Sequence, residues 1–297
     1  MASVQDYKRR IRSVRNTRKI TRAMELVAAA KLRRAQTRIE AMRPYADTMR
    51  ELIAGVGRAA GSVRGLPLLE QRETTATTLI VPLSGDRGLA GAFNAQVMRR
   101  AFALDRRLAD EGQNVRWLAV GKKGRSTLTF RRRTLDGTFV GFTDAPAYSN
   151  AQAIAHRAAE LFVEGEVDRV VLVYNAFESA LVQRVTVQDV LPLSGELLES
   201  SDEEREVDAL RGDFIFEPEP EQILERLLPV YLETEIYRSL LESAASEHGA
   251  RMTAMRNASK NAGDLIDSLT LAMNRARQAE ITHEILEVVA GADALTT

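Results

Sequence analysis

The sequence predicts an α/β fold combined with a long coiled coil: antiparallel N- and C-terminal helices with a central Rossmann-like α/β domain between them. This class is predicted by a seam of apolar residues near each end of the chain and by alternating strand and helix patterns in the middle. The 297 residues are expected to divide into an N-terminal coiled-coil helix, an α/β domain, an acidic exposed loop and a C-terminal coiled-coil helix, over residues 1–60, 75–195, 196–217 and 218–297.

The N-terminal helix is predicted from small and apolar residues whose spacings alternate between four and three. No glycine precedes Gly55, and Pro44 is the one interruption. Before Ala28 the seam is expected to shift to Ile20, Met24 and Val27, as a stutter in a coiled coil would cause. The seam itself comprises Ala28, Leu32, Ala35, Ile39, Met42, Ala46, Met49, Ile53 and Val56.

The C-terminal third repeats the alternation, and Pro218 and Pro220 suit the start of its helix. Two seams that are far apart in sequence, with a compact insert between them, most simply pair antiparallel. The alternative is that each seam forms a separate homodimer. The second seam comprises Met255, Ala258, Ala262, Leu265, Leu269, Ala272, Ala276, Ala279, His283, Leu286 and Ala290.

The middle of the chain alternates strand and helix patterns, which predicts a small domain with a mostly parallel sheet. A helix over Ser149–Glu164 is expected to be capped by Ser149 or Asn150. Two further helices are expected near Asn94–Glu111 and after Gly121. The predicted strands are Thr77–Leu83, Val115–Val120, Val170–Tyr174 and Leu181–Val190.

Charge is balanced overall but unevenly distributed. The chain has 41 Lys and Arg against 41 Asp and Glu, for a formal net charge of zero. Residues 1–50 hold 14 basic and four acidic side chains, whereas residues 196–235 hold 14 acidic side chains and three arginines. We interpret each segment as facing a partner of opposite sign, with a merely solvated surface as the alternative.

Composition excludes several kinds of chemistry. Cysteine is absent, so no disulfide, thiolate zinc site or cysteine nucleophile is possible, and the three histidines (His156, His248 and His283) are too scattered for a His-rich metal site. No run of 18 apolar residues occurs, so no membrane span is expected. Without a hydrophobic signal segment the chain is expected to be intracellular, unless a transit peptide has been removed.

A glycine-rich run, Ser84–Gly91, follows a predicted strand and precedes a helix, where phosphate-binding loops lie. Its glycines at positions 85, 88 and 91 match neither the dinucleotide-binding pattern nor the P-loop pattern, and Gly121–Ser126 is too short for a P-loop. We therefore predict no cofactor and no catalytic residue in this chain. The alternative is an enzyme that uses Gly85–Gly91 as a cofactor loop.

A second alternative is suggested by the basic stretch Lys8–Arg22, which has eight positive charges in 15 residues. Such a stretch would suit a coiled-coil adaptor that binds nucleic acid through its N-terminal helix. It contains no aromatic side chain for base stacking, so an acidic protein surface is an equally good partner.

Three separated motifs resemble the gamma subunit family of F-type proton-translocating ATP synthases, and the resemblance covers essentially the whole chain. They are Ile11–Lys31, Asp86–Asn94 (DRGLAGAFN) and Asn274–Glu284 (NRARQAEITHE). The second motif departs from the family at Gly85, where Ser or Thr is common, and at Ala92, where glycine is common. Without cysteine, the thiol switch of chloroplast members cannot operate.

The resemblance implies a central rotor shaft that transmits torque between a proton-driven c-ring and a catalytic hexamer of three alpha and three beta subunits. The α/β domain would form a foot, together with an epsilon subunit, on the ring. The catalytic sites would lie on beta, so this chain would not be an enzyme. The resemblance implies no nucleic-acid partner and no membrane span. It implies a peripheral position on the cytoplasmic face of a bacterial plasma membrane.

The resemblance also implies roles for particular residues. Asp213–Pro220 would approach the ring, and the foot signature would include Asp86, Arg87, Gly88 and Asn94. The apolar tip that turns in a hydrophobic sleeve would include Val288, Val289, Ala290 and Leu295. Contacts with beta would be made by Met24, Arg9, Arg10, Arg12, Lys19, Arg22, Arg277, Gln278, Thr282 and Glu284.

Overall fold

The computed structural model describes residues 3–60, 65–72, 74–179, 182–198 and 217–296, without the side chains of residues 196, 198 and 291–296. The predicted loop over residues 196–217 lies mostly outside the described residues, as do most of Asp213–Pro220 and the side chain of Leu295. The helices are α1 (Val4–Ala59), α2 (Phe93–Asp110), α3 (Lys122–Phe130), α4 (Tyr148–Val163) and α5 (Pro220–Thr296). The strands are β1 (Thr77–Pro82), β2 (Asn114–Val120), β3 (Gly137–Phe139), β4 (Arg169–Phe177) and β5 (Gln183–Leu191).

The predicted fold class is confirmed, because a long helix lies at each end and an α/β sheet domain lies between them. Both terminal helices continue through an internal proline, Pro44 in α1 and Pro229 in α5. The predicted cap of α4 is wrong. The residue at the cap position is Ala147, and its backbone N–H donates to Oδ1 of Asn150 at 2.9 Å, which lies inside the helix.

The sheet has the strand order β3-β2-β1-β4-β5, in which all neighbouring pairs are parallel except β4 with β5. The order reverses between β1 and β4, as in doubly wound folds. The short strand β3 and the antiparallel direction of β5 were not predicted. Three residues are too few to give an alternating pattern, and strand direction is set by the connection rather than by composition.

Two apolar layers cover the sheet. Alternate residues of β1 enter different layers: Leu79 and Val81 pack in one cluster, and Ile80 packs in the other. The first cluster also contains α4 residues and residues of both terminal helices, such as Ile53 of α1 and Ile236 of α5. The second contains α2 residues and Trp117.

The chain divides into two compact units. The coil unit comprises Met1–Ala28 with Arg251–Thr297, and the domain unit comprises Ala29–Ala250. In the domain unit, α1 and α5 contact each other through polar groups as well as apolar ones. Nη2 of Arg50 lies 3.2 Å from Oε1 of Glu235, and the same carboxylate accepts a hydrogen bond from Nη2 of Arg238 at 2.7 Å. The predicted α1 seam is confirmed here, since each of its members from Leu32 to Val56 is buried or half-buried.

In the coil unit the two helices are antiparallel. Nε of Arg256 donates to Oε1 of Glu25 at 3.0 Å, and Nη1 of Arg18 lies 3.7 Å from the position that a Cβ on Gly263 would take. Seven residues back along α1 therefore correspond to seven residues forward along α5. Pairing within one chain thus accounts for the α1 seam and for part of the α5 seam without a homodimer.

The predicted stutter before Ala28 is wrong. Ile20 is 60% exposed and Val27 is exposed, whereas Thr21 and Glu25 are buried. The spacings of four and three residues between seam positions thus continue without a break, but polar residues occupy these positions. Because the seam positions immediately before Ala28 are polar, the apolar residues alone indicate the wrong face of the helix.

The C-terminal seam is only partly confirmed. Met255 and Ala262 are buried, but Leu265 is exposed and Ile266 is buried in its place. From Ala279 onward the seam residues are exposed, including His283 and Leu286. The antiparallel register explains this change. Val4, where α1 begins, lies level with about residue 277 of α5, so later α5 residues have no α1 residue opposite them.

Candidate partner-binding surfaces

A basic groove runs along the helix pair of the coil unit. Arg18, Lys19 and Arg22 project from α1, and Arg256 and Lys260 project from α5 on the same groove. We call these five side chains the basic groove. The sequence predicted Lys19 and Arg22, but not the two residues that α5 contributes.

Glu25 is the one acidic residue of the groove, and its side chain is only 7% exposed. It accepts hydrogen bonds from Nε of Arg256 at 3.0 Å and from Nη1 of Arg22 at 2.8 Å. The hydrogen bond from Arg256 lowers the pKa of the Glu25 carboxyl, and partial burial opposes this shift without reversing it. A charged residue in a coiled-coil seam favours one register over others, because any shift of α5 would separate the carboxylate from Arg256 and leave it only Arg22 of its own helix.

Substituting Glu25 with alanine is therefore expected to loosen the helix pair locally. The loss is about 1 kcal/mol, because both arginines are more than half exposed and the pair is screened by water. Hydrogen exchange of amides near residue 25 and residue 256 should become about fivefold faster. Asp6→Ala, which removes an exposed ion pair with Arg9, is the matched control and should leave these amides unchanged. Equal exchange in both variants would contradict a register role.

The other predicted contacts on α1 are arranged along an exposed surface. Met24 is half-buried, and Arg9, Arg10 and Arg12 are exposed. Nη2 of Arg9 lies 2.7 Å from Oδ1 of Asp6 one turn earlier. The structure thus leaves nearly all the predicted basic side chains of α1 accessible to a partner.

The predicted contacts near the end of α5 are also exposed, but they do not share one face. At about 100° per residue, Arg277 and Glu284 lie on one side of the helix, and Gln278 and Thr282 lie roughly a third of a turn away. The hydroxyl of Thr282 donates to the backbone oxygen of Gln278 at 2.9 Å. Large apolar side chains on the same part of α5 are also exposed, and Val288 is 73% exposed. They are Ile281, Ile285, Leu286, Val288 and Val289.

The predicted foot signature forms a closed hydrogen-bonded loop in the domain unit. Oδ2 of Asp86 accepts from the backbone N–H of Gly141 at 2.8 Å and of Thr143 at 3.1 Å, and from the Thr143 hydroxyl at 3.0 Å. Oδ1 of Asp86 accepts from the backbone N–H of Lys122, the first residue of α3, at 3.0 Å. Burial alone would raise the pKa of Asp86, but these N–H donors outweigh it and hold the pKa below its ordinary value.

The same loop is tied to α2 through Asn94. Its Oδ1 accepts from the backbone N–H of Gly85 at 2.8 Å, and its Nδ2 donates to the backbone oxygen of Arg87 at 3.3 Å. Gly88 lies near Lys123, since a Cβ there would be 3.8 Å from Cε of that lysine. The signature residues therefore hold the loop in shape, and the carboxylate of Asp86 occupies the start of α3, where an anionic ligand could otherwise bind.

Helix α5 fills the place where doubly wound sheets bind ligands, next to the reversal of strand order. The hydroxyl of Ser243 lies 3.4 Å from the backbone oxygen of Leu83, and that of Ser246 donates to the backbone oxygen of Asn175 at 3.0 Å. The carboxylate of Glu247 lies so close to Gly85 that a Cβ there would be 2.7 Å from Oε2. Glycine at position 85, where Ser or Thr is common in the family, thus makes room for Glu247. This arrangement argues against a cofactor loop at Gly85–Gly91.

Replacing Asp86 with asparagine is expected to destabilise the domain unit by about 1–3 kcal/mol, because one oxygen is exchanged for a donor that faces N–H groups. A carboxyl whose pKa is lowered on folding contributes stability above its unfolded pKa and loses it as the pH falls through the folded pKa. The difference from the unsubstituted chain should therefore be complete at pH 7 and should shrink as the pH falls through the lowered pKa of Asp86. Denaturant unfolding followed by Trp117 fluorescence measures it, since this single tryptophan is 1% exposed in β2. An unchanged difference at low pH would contradict the assignment.

Within the described ranges, no group of His, Asp and Glu side chains is arranged to hold a metal ion. None of the helices, where the structure describes them, has an apolar stretch long enough to cross a bilayer. His156 is exposed on α4, and His248 is buried on α5.

An antiparallel helix pair with an exposed end, joined to a doubly wound domain whose crevice is filled, defines a coiled-coil stalk protein. An ATP synthase family model matches residues 3–295. The chain is 45% identical to the ATP synthase gamma chain of Nostoc punctiforme, over 100% of both chains. It is 46% identical to the gamma chain of Rubrobacter xylanophilus, over 99% of both. The chain belongs to the ATP synthase gamma chain family.

Solved structures agree with this membership. A chain in the central stalk and c-ring structure of the Tetrahymena thermophila mitochondrial ATP synthase matches with a TM-score of 0.58 and 28% identity, over 81% of this chain and 99% of that one. A chain in the Euglena gracilis mitochondrial ATP synthase matches with a TM-score of 0.68 over 98% of this chain and 94% of that one. At 19% identity, the second likeness concerns the fold alone. The comparisons give no support to a nucleic-acid adaptor.

The structure adds residues that the sequence did not single out. Arg256 and Lys260 complete the basic groove, and Glu25 joins it from the seam. Continuing the spacing of four and three back from Ala28 would have found Glu25 and Arg18, because the heptad phase holds even where its residues are polar. Nothing in the sequence pattern indicated Thr143, whose role depends on a loop that approaches Asp86 from 57 residues away.

Proposed function

We propose that this chain is the central rotor shaft of an F-type ATP synthase, transmitting torque between a proton-driven c-ring and a catalytic hexamer of three alpha and three beta subunits. Residues 1–60 and 218–297 form the shaft, and residues 75–195 form the foot, which meets the ring together with an epsilon subunit. The chain is not itself catalytic, because ATP forms on beta. The assembly holds it peripherally on the cytoplasmic face of a bacterial plasma membrane.

The observation that carries this proposal is the exposed apolar end of α5. Ile281, Ile285 and Val288 leave an apolar surface exposed that would promote aggregation of a chain alone in water, and their exposure favours an enclosing partner. A sleeve of apolar side chains suits a turning shaft, since apolar contacts have no fixed direction and exchange at little cost. Val288, Val289, Ala290 and Leu295 are the tip residues that turn in it.

The polar contacts with beta lie before that tip along α5 and on the part of α1 that pairs with it. Arg277, Gln278, Thr282 and Glu284 meet a beta loop near the end of α5. The basic groove, with Met24 and the exposed Arg9, Arg10 and Arg12, meets an acidic segment of beta. Because the groove lies on one side of the helix pair, each orientation of the shaft favours a different conformation at the three catalytic sites, as differential contact requires.

Reconstitution with matched alpha and beta subunits tests this function. One copy of the chain should enter per three alpha–beta pairs, and ATPase activity should rise as it is added and be lost when residues 1–30 are deleted. The chain without partners should bind neither nucleotide nor DNA at physiological salt. Failure to assemble, together with salt-sensitive nucleic-acid binding, would contradict the proposal and favour the adaptor.

A further inference from the structure

Both terminal helices contact one residue of the domain unit, Asp144. This residue lies in the loop between β3 and α4. Its carboxylate accepts a hydrogen bond from Nζ of Lys31 on α1. Its backbone oxygen lies 3.0 Å from Nε2 of His248 on α5, and its Oδ1 lies 3.7 Å from the same nitrogen. Because a carbonyl oxygen only accepts, Nε2 of His248 carries the proton in this contact.

The surroundings make this contact rigid. His248 is 1% exposed, and the side chains of Lys31 and Asp144 are about two-thirds covered. Burial alone would raise the pKa of Asp144, but the hydrogen bond from Lys31 and the neighbouring positive charges lower it, so the carboxylate stays ionised. The preceding residue, Thr143, is held by two hydrogen bonds between its hydroxyl and Asp86. The loop is thereby fixed to the helices on one side and to the foot signature on the other.

Much of the remaining contact between these helices and the sheet is apolar, although Ser243 and Ser246 also bond α5 to the strand ends. Ile53, Leu228 and Ile236 pack in the same cluster as the sheet residues, and such packing resists separation more strongly than sliding. Directional bonds resist sliding, and Asp144 receives them from both helices at once.

We propose that Lys31, Asp144 and His248 form a torque lock, in which Asp144 is the positioning residue that prevents the helix pair from slipping relative to the foot under load. This inference rests on the proposed rotor function and adds to it the place where force passes from shaft to foot. Its effect appears only under load, because without load the apolar cluster and the serine hydrogen bonds of α5 hold the helices on the sheet.

The test uses the whole ATP synthase in proteoliposomes and measures protons pumped per ATP hydrolysed. Asp144→Asn and Lys31→Met remove the charges with little change in shape. Each is expected to lower pumping per ATP about twofold or more while hydrolysis continues, because the remaining charge loses its partner. The double variant should be no worse than either single one, since both remove the same contact. Lys31→Arg should restore pumping, and Arg33→Met, an exposed cation on the same helix, should behave as the unsubstituted chain.

Each alternative result has a definite meaning. Equal pumping per ATP in all variants, with the unsubstituted complex active, overturns the lock and leaves the rotor function standing. A loss of pumping that only follows a loss of assembled chain, as judged by stoichiometry and by Trp117 unfolding, also overturns it, because the contact would then serve stability alone. An unsubstituted complex that assembles and hydrolyses ATP but does not pump overturns the rotor function, and the lock with it.

Discussion

Replacing Gly121 with alanine is expected to destabilise the domain unit by about 2–5 kcal/mol, which combines overpacking with an unfavourable left-handed backbone. Gly121 joins β2 to α3 with φ of +84°, and a Cβ there would lie 2.0 Å from the backbone oxygen of Ser84. That oxygen belongs to the backbone next to β1 and cannot move without disturbing the signature loop. Unfolding in denaturant, followed by Trp117 fluorescence, measures the loss.

Gly112→Ala is a matched control for this substitution. Gly112 has a similar φ of +80°, but a Cβ there would meet no atom within 4 Å. Only the backbone cost applies, about 1 kcal/mol. If both variants lost the same stability, close packing at Gly121 would not be the reason for glycine at this position.

Reversing three charges of the basic groove is expected to have the largest effect on function. In the variant Arg18→Glu, Lys19→Glu and Lys260→Glu, repulsion should weaken the proposed interaction with an acidic segment of beta at least about tenfold. The variant spares Arg22 and Arg256, so both hydrogen bonds to Glu25 remain, including the one from Arg256 that holds the helix register. Binding to the alpha–beta hexamer and activation of its ATPase, measured across a range of salt concentrations, report the loss.

The control changes the same number of charges elsewhere. Arg99→Glu, Arg100→Glu and Arg106→Glu reverse three exposed cations of α2 in the domain unit. Because they lie outside the coil unit, hexamer binding and its salt dependence should stay as in the unsubstituted chain. Equal losses in both variants would mean that net charge, rather than the groove, governs the interaction.

The fold class was predictable because its signals are periodic. The spacing of four and three from Leu32 to Val56, and the apolar runs of β1, β2 and β4, each repeat often enough to identify an element. The prediction failed where polar residues occupy a periodic position, as Glu25 does. It also failed beyond Ala279, where an apolar seam continues in sequence although α1 offers no partner there.

The candidate surfaces were less predictable, because they combine residues from distant parts of the chain. The sequence indicated Asp86 and Asn94 through their motif, but not that Asp86 holds the loop containing Thr143. It gave no indication of the contact between Asp144 and His248, which are 104 residues apart. Hydrogen-bond partners of this kind follow from how α5 crosses the sheet, and local patterns contain no information on that crossing.

The rotor function can be tested most directly by watching the foot turn. Since the chain contains no cysteine, Ser126→Cys on the exposed side of α3 provides a single attachment point for an optical probe. With the alpha–beta hexamer immobilised and ATP added, we expect continuous rotation of the probe in one direction, which stops when ATP is removed. A probe that stays still while the same complexes hydrolyse ATP would contradict it.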